Sequence, residues 1–288
     1  MRKHLSTIVF VLIFLVGLSV MLYPSFSDWW NSHIASHSIA TYQDAVAQLD
    51  NGEAERMLAQ AHAYNQKLAG ISSPFINFEE VSGYEDILNI SGTGIMGYIS
   101  IPSIKVELPV YHGTSEGVLQ IAAGHLQGSS LPVGGEKTHA VISGHRGLPS
   151  ARLFTDLDKM TVGDTFTITV LNEVLTYEVE EILVILPTES DKLEIISGGD
   201  YVTLVTCTPY GVNSHRLLLR SKRIDTVYES RVRISADAVQ VDPMKVMPFA
   251  AVPLLLILMI IWNISGRKKK NKTLEEMRKN YKKHQYRI

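Results

Sequence analysis

Short runs of alternating polar and apolar residues dominate the chain from about residue 94 to residue 224. Runs of this kind, separated by Gly, Pro and Asn, are typical of β-strands joined by turns. Only two short stretches in this region, 116–123 and 151–160, have the spacing of helices. The pattern therefore predicts a mainly β domain of seven or eight strands, a barrel or a sandwich. The clearest strands are predicted at 96–101, 104–110, 139–143, 165–170, 176–187, 201–206 and 215–220.

Apolar residues recur at helical spacing in the segment that precedes the β region. Ile39, Tyr42 and Val46 follow this spacing, as do residues between 57 and 68, with a break at Asn51-Gly52. We expect residues 24–93 to form a helical extension, bent or paired as a hairpin, that packs on the β domain.

Two longer apolar stretches lie near the ends of the chain. The stretch at 246–264 has the length of a transmembrane helix. The stretch within residues 1–23 is close to the lower limit for a membrane anchor, and a cleaved signal peptide is the alternative. No small-x-small cleavage site precedes Trp29-Trp30, which favours a retained anchor.

Charge is distributed unevenly and predicts the orientation of both apolar stretches. Arg2 and Lys3 precede the first, and the tail at 265–288 holds ten Lys and Arg against two Glu. Because cationic flanks stay in the cytoplasm, both ends are predicted inside the cell. Residues 24 to about 245 are then outside, with 236–245 as a linker.

The middle of the chain is acidic. Without the cationic ends, 15 Lys and Arg remain against 27 Asp and Glu. Nucleic-acid binding requires a basic surface, so this composition argues against a nucleic acid as partner.

Cys207 is the one cysteine of the chain. An exported protein of this size often contains disulfides, and a lone thiol is then either a buried structural residue or a reactive group. Cys207 ends a predicted strand, and Arg216 opens the next one after a turn. His145 ends a different strand, within Ser143-Gly144-His145-Arg146-Gly147.

These three residue types suit acyl transfer. The thiolate is the nucleophilic form of cysteine, and histidine exchanges protons near neutral pH. Attack on an amide carbonyl creates an oxyanion that needs donors, and arginine offers several in a fixed fork. The pattern alone does not show that the three side chains meet.

Three motifs in this order resemble those of the sortases. Thr203-Leu204-Val205-Thr206-Cys207 is similar to the sortase TLxTC signature, with Arg216 nine residues on and His145 in its glycine-flanked loop. The resemblance covers about residues 94–224. It implies the eight-stranded sortase β-barrel, which we place at 94–235, and a transpeptidase. We expect no cofactor, and no metal because the carboxylates at 79–86 show no liganding pattern.

The resemblance also implies the mechanism and the partners. A sortase cysteine cleaves an LPxTG-type sorting signal between Thr and Gly and forms a thioacyl enzyme, which an amine then resolves. By this likeness Cys207 is the nucleophile, His145 the general acid and base, and Arg216 the substrate and oxyanion stabiliser. The enzyme is expected in the cell membrane of a Gram-positive bacterium, with its catalytic domain on the extracellular face.

Two anchors and a helical extension resemble the class C, pilin-polymerising sortases, in which a pilin lysine is the acyl acceptor. These enzymes carry a lid with an Asp-Pro-aromatic motif. Ser73-Pro74-Phe75, within a predicted lid at about 71–80, is the nearest match, with Ser73 in place of the Asp. A hydroxyl can hydrogen-bond Arg216 but forms no ion pair, so we expect a weakly held lid. The alternative is that this segment is only a loop.

Two other functions stay open from the sequence. One is a housekeeping-type sortase that anchors surface proteins to a cell-wall precursor, and the other is a non-catalytic assembly module. Among the remaining candidates, His125, Arg146 and Arg220 are predicted to be structural, although Arg220 shares a strand face with Arg216. His112 is predicted at the surface and His215 on the opposite strand face from Arg216.

Overall fold

The computed structural model describes residues 2–90, 92–226 and 277. The predicted linker, the second transmembrane stretch and the basic tail lie almost entirely outside these residues. The helices are α1 (Arg2–Ala47), α2 (Asn51–Leu68), α3 (Pro74–Asn77) and α4 (Glu116–Leu119). The strands are β1 (Ile95–Ile101), β2 (Val106–His112), β3 (Ala123–His125), β4 (Thr138–Ser143), β5 (Thr165–Val170), β6 (Glu173–Ile185), β7 (Asp200–Thr208) and β8 (His215–Ile224).

The eight strands form a closed barrel in the order β1-β2-β3-β4-β7-β8-β6-β5. Most neighbours are antiparallel, but β2–β3 and β4–β7 are parallel. Side chains that point inward from alternate strand positions, such as Ile142, Leu204 and Leu219, are fully buried and form the core. The mainly β fold and its strand number are therefore confirmed.

Helix α1 is long and apolar enough to cross a membrane, by length and composition. Its C-terminal half packs on the barrel through Ala35, Ile39, Tyr42 and Val46, which lie on one helix face and are buried. The hydroxyl of Tyr42 donates to the Met96 carbonyl oxygen and accepts from the Leu171 N–H. The extension thus belongs to the same packed unit as the barrel.

The break between α1 and α2 lies at residues 48–50, slightly before the predicted one. Asp50 is the N-cap of α2, and its carboxylate accepts a hydrogen bond from the Glu53 N–H at 2.7 Å. This cap starts a new helix at once, so Gly52 lies inside the first turn of α2 rather than in the break.

The helix predicted at 151–160 is wrong. Only a 3-10 turn at Leu157–Lys159 forms. The Arg152 N–H donates to Asp28 and the Phe154 N–H donates to the His145 carbonyl oxygen. Leu153 between them has a left-handed backbone, with φ of 37°, and this conformation interrupts a right-handed helix despite the helical spacing.

The predicted surface position of His112 is also wrong. Its side chain is buried, with Nδ1 2.9 Å from the Gly94 carbonyl oxygen and Nε2 2.8 Å from that of Ile87. His112 ends β2, and these two contacts attach it to the segment that enters the barrel.

His125 is fully buried beside His112 and has the structural position that the sequence predicts. Its Nε2 lies 2.8 Å from the Ser130 carbonyl oxygen, so Nε2 carries the proton, while Nδ1 faces the hydroxyl of Tyr84 at 2.9 Å. Burial is the largest effect on its ionisation and lowers the pKa of His125 to about 4. The folded protein therefore holds this ring neutral.

We expect His125 to make the fold sensitive to acid. Its pKa is lower in the folded than in the unfolded chain, so stability is highest above the unfolded pKa of about 6.5 and falls as the pH drops toward 4. The loss should be about 3 kcal/mol in the free energy of unfolding. His125→Gln should lose less between pH 7 and pH 4 in denaturant titrations, whereas His37→Gln, at an exposed site, should match the wild type.

Burial also lowers the pKa of His139, so the His125 variant should retain part of the slope. Equal pH slopes for wild type and the His125 variant would contradict the assignment.

Candidate active site

Cys207 and Arg216 face each other on neighbouring antiparallel strands. They are register partners in the β7–β8 pair, close to the turn that joins the two strands. Directly opposite residues have Cβ atoms about 5 Å apart on the same sheet face. Both side chains are partly exposed, so the thiol and the guanidinium are accessible at one end of the barrel.

The guanidinium of Arg216 forms no ion pair with a carboxylate in the described part of the chain. Its Nη1 donates to the backbone carbonyl oxygens of His215 and Asn213, at 3.1 and 3.3 Å. Arg220 lies on the same strand face but pairs with Glu180 and Glu181. Arg216 thus keeps donors for a substrate oxygen, whereas the donors of Arg220 are engaged.

His145 follows β4, which runs parallel to β7. Ser143 and Val205 are register partners, the Gly144 N–H donates to the Val205 carbonyl oxygen at 3.0 Å, and the Thr206 hydroxyl donates to the Gly144 carbonyl oxygen at 2.8 Å. These contacts continue the pairing to the residues just before His145 and Cys207. The two therefore leave neighbouring strand ends at the same edge of the barrel.

The glycines and the arginine around His145 fix its loop. A Cβ at Gly144 would lie 2.6 Å from the ring of Phe154, and one at Gly147 would lie 3.0 Å from the ring of Tyr210. Arg146 is nearly buried, pairs with Asp158 and stacks over Tyr210. These contacts fit the structural role predicted for Arg146.

A cavity of about 520 Å³ runs along the outer face of the barrel toward these residues. Its floor comes from the outward side chains of β6, β7 and β8, and its walls include the segment between β6 and β7. Val205 and Cys207 are two residues apart on β7, so their side chains share this face. The lining residues include Phe75, Ile185, Leu193, Val205, Arg216 and Leu218.

The segment predicted as a lid lies in this cavity. Pro74–Asn77 form the short helix α3, and Phe75 packs against the apolar cluster of Val141, Leu193, Val205 and Leu218. A Cβ at Gly128 would lie 3.0 Å from the Phe75 Cα, so a glycine at 128 lets the segment approach the cavity wall.

Ser73 is exposed and has a left-handed backbone, with φ of 55°. The hydrogen bonds described for Arg216 go to backbone carbonyl oxygens and not to Ser73. Packing of Phe75, rather than a polar contact through Ser73, therefore holds the segment in the cavity.

Two parts of the site are not evident from sequence. Glu116 lies with its Oε2 3.6 Å from the Nε2 of His145, although the residues are 29 positions apart and no motif includes Glu116. The wall at 186–193 comes from a segment without periodic pattern. Both depend on the closure of the barrel, which brings distant loops to one edge.

Comparison with known proteins identifies the family. Residues 99–224 match the sortase domain. Sortase C1 from Streptococcus agalactiae is 48% identical, with 66% of this chain and 99% of that one covered and a TM-score of 0.61. Sortase C of Streptococcus pneumoniae, in a structure described as informative on catalysis and pilin substrate specificity, is 46% identical, with 66% and 97% covered and a TM-score of 0.59.

A third similar structure was solved together with a sorting motif. Sortase C of Clostridium perfringens, solved with the C-terminal cell wall sorting motif, is 41% identical, with 67% of this chain and 100% of that one covered and a TM-score of 0.59. These neighbours are class C sortases, and the sortase-domain match covers most of the barrel, including Cys207. The chain therefore belongs to the sortase family of cysteine transpeptidases.

Proposed function

We propose that this sortase joins pilin subunits into a covalent polymer. Its likeness to sortase C structures, at more than 40% identity over nearly the whole of each, is the observation that carries the proposal. The substrates are proteins with LPxTG-like sorting signals, and the acyl acceptor is a lysine amine of the next pilin subunit. The alternative is transfer of surface proteins to a cell-wall precursor.

The proposed chemistry proceeds in two steps. The Cys207 sulfur attacks the Thr carbonyl carbon of the sorting signal, and His145 protonates the leaving Gly amine as the C–N bond breaks. The lysine amine then attacks the thioacyl carbon, an amide forms, and the C–S bond breaks. His145 takes the proton that the amine loses and passes it to the sulfur of Cys207. Arg216, opposite Cys207 and without a carboxylate partner among the described residues, stabilises the oxyanion in both steps.

The proposed location follows from the apolar helix α1 and the apolar stretch at 246–264. Both anchor the enzyme in the cell membrane of a Gram-positive bacterium, with the barrel on the extracellular face. The contacts of Asn31 with the Ser150 carbonyl oxygen and of Asp28 with the Arg152 N–H connect α1 to the loop that follows His145. The proposed anchor thus continues directly into the catalytic unit.

The segment at 73–77 acts, in this proposal, as a lid that covers the approach to Cys207. We expect Phe75→Ala to raise the rate at which a thiol reagent modifies Cys207 by about tenfold, because loss of a half-buried aromatic ring removes about 1–2 kcal/mol of packing that closes the lid. Ile76→Ala is the matched control, since Ile76 is the next residue and is 77% exposed. Rates that rise equally in both variants, or in neither, would remove the lid role from Phe75.

A polymerisation assay tests the function. The purified full chain is incubated with a pilin that carries an LPxTG-like signal and is encoded next to its gene, and the products are separated on a denaturing gel. A ladder formed by the wild type and not by Cys207→Ala supports pilin polymerisation. Cleavage of the signal without a ladder favours transfer to a cell-wall precursor, and absence of both products favours the non-catalytic alternative.

A further inference from the structure

Glu116 presents a carboxylate to the catalytic histidine. Its Oε2 lies 3.6 Å from the Nε2 of His145, and its side chain is 74% exposed. No other carboxylate of the described residues lies within ion-pair distance of His145. The carboxylate therefore adds a negative charge, accessible from solvent, at the edge of the active site.

Local structure directs this carboxylate toward His145. Glu116 is the first residue of α4, and its Oε1 accepts a hydrogen bond from the Gln120 side chain at 2.6 Å. This bond is the largest of the effects that lower the pKa of Glu116, and the proximity of His145 acts in the same direction. One oxygen is thus held by Gln120, which leaves Oε2 for His145 or for a ligand.

The position of Glu116 relates to the second half of the reaction. His145 protonates the leaving amine in the first step, so the incoming amine must occupy the same place next to His145. A lysine amine has a pKa of about 10.4 and arrives as an ammonium ion at neutral pH. A carboxylate within 4 Å of the His145 ring lies close enough to contact that ion.

We propose that Glu116 is the recognition residue for the ammonium group of the acyl acceptor. The inference rests on the proposed use of a lysine amine as acceptor and goes beyond it by assigning the contact. The ammonium ion pairs with Oε2, displaces His145 from it and loses one proton to solvent. The free amine then attacks the thioacyl carbon, the C–N bond forms, the C–S bond breaks, and the second amine proton returns to the sulfur of Cys207 through His145.

The cations near the Glu116–His145 pair are engaged elsewhere, and the cavity proposed for the sorting signal lies beside the pair. Arg146, next to His145, is neutralised by Asp158, and Arg216 donates to backbone carbonyl oxygens. Thr114 and Gly113, just before Glu116, line the cavity that contains Phe75. Glu116 therefore lies where an acceptor can approach His145 beside the cavity proposed for the sorting signal.

The test compares a charged and an uncharged acceptor on one thioacyl enzyme. The purified full chain receives a fluorescence-quenched LPETG peptide together with either an N-acetylated, C-amidated lysine peptide or hydroxylamine, which is largely uncharged at neutral pH. Transfer products are quantified by mass spectrometry for the wild type, Glu116→Gln and Glu178→Gln. Glu116→Gln preserves an acceptor for Gln120, and Glu178 is an exposed residue of β6 at the far end of its pairing with β8.

We expect Glu116→Gln to lower transfer to lysine by about fivefold, the effect of one exposed charge pair at about 4 Å, chiefly through a higher KM for the lysine peptide. Transfer to hydroxylamine should fall much less, and Glu178→Gln should match the wild type with both acceptors. The lysine preference should also weaken as salt is added.

Equal losses with lysine and hydroxylamine would mean that Glu116 acts by orienting His145, and equal rates for Glu116→Gln and wild type would mean no role; each overturns the inference and leaves the proposed function standing. A wild type that cleaves the peptide and transfers it to no amine would overturn both.

Discussion

We expect Cys207→Ala to abolish cleavage and transfer of a sorting-signal peptide. The chain has no second cysteine, so no other thiol can form the covalent intermediate. Removal of the nucleophile should lower the rate by at least about 10⁴-fold, since enzymes that act through a covalent intermediate lose most of their rate with it. The measurement is release of the fluorescent fragment from the quenched LPETG peptide.

The control for this variant is its affinity for the sorting-signal peptide. Cys207 is partly exposed at a strand end, so the smaller Ala side chain leaves no large internal void. Fluorescence anisotropy of a labelled peptide should therefore give a Kd close to that of the wild type. Residual cleavage well above one ten-thousandth of the wild-type rate in a folded Cys207→Ala protein would contradict the assignment of the nucleophile.

Arg216→Lys should lower kcat for cleavage by about 10²–10³-fold, the usual cost of removing one oxyanion donor. Lysine keeps the positive charge but lacks the fixed fork of N–H groups that arginine aims at an oxygen. The effect should therefore be on kcat more than on KM, as expected for a contact that strengthens in the transition state.

Arg220→Lys is the matched control because Arg220 lies on the same face of β8, four residues away, and pairs with Glu180 and Glu181. Its kcat should stay within about threefold of the wild type, since surface ion pairs contribute little. Similar kcat values for the two variants would show that Arg216 makes no special contact with the reacting carbonyl.

The strands were predictable where alternation extends over five or more residues, as in β5 and β6. β3 was not, because Ala123–His125 is too short to show alternation and follows directly on a helical spacing. The helix predicted at 151–160 failed for the opposite reason. Its spacing is helical, but Leu153 has a left-handed backbone, with φ of 37°, which interrupts a right-handed helix.

The candidate site was partly predictable for a similar reason. Cys207 and Arg216 belong to one hairpin, so chain proximity alone places them opposite each other. The position of His145 near the end of β7 depends on the parallel β4–β7 pair. This pair joins strands 57 or more residues apart, so no local sequence pattern predicts it. Burial of His112 and the contact of Glu116 with His145 likewise arise only when the barrel closes.

In the proposed mechanism the sulfur of Cys207 carries the acyl group from the sorting signal to the acceptor amine. The most direct test mixes the purified full chain with the LPETG peptide, quenches the reaction in acid, digests the protein and measures the mass of the fragment that contains Cys207. We expect a thioester adduct of the peptide up to its Thr on Cys207, which disappears when the lysine peptide is added while the transfer product appears. An adduct on another residue, or transfer product formed without any adduct on Cys207, would rule out this role of the Cys207 sulfur.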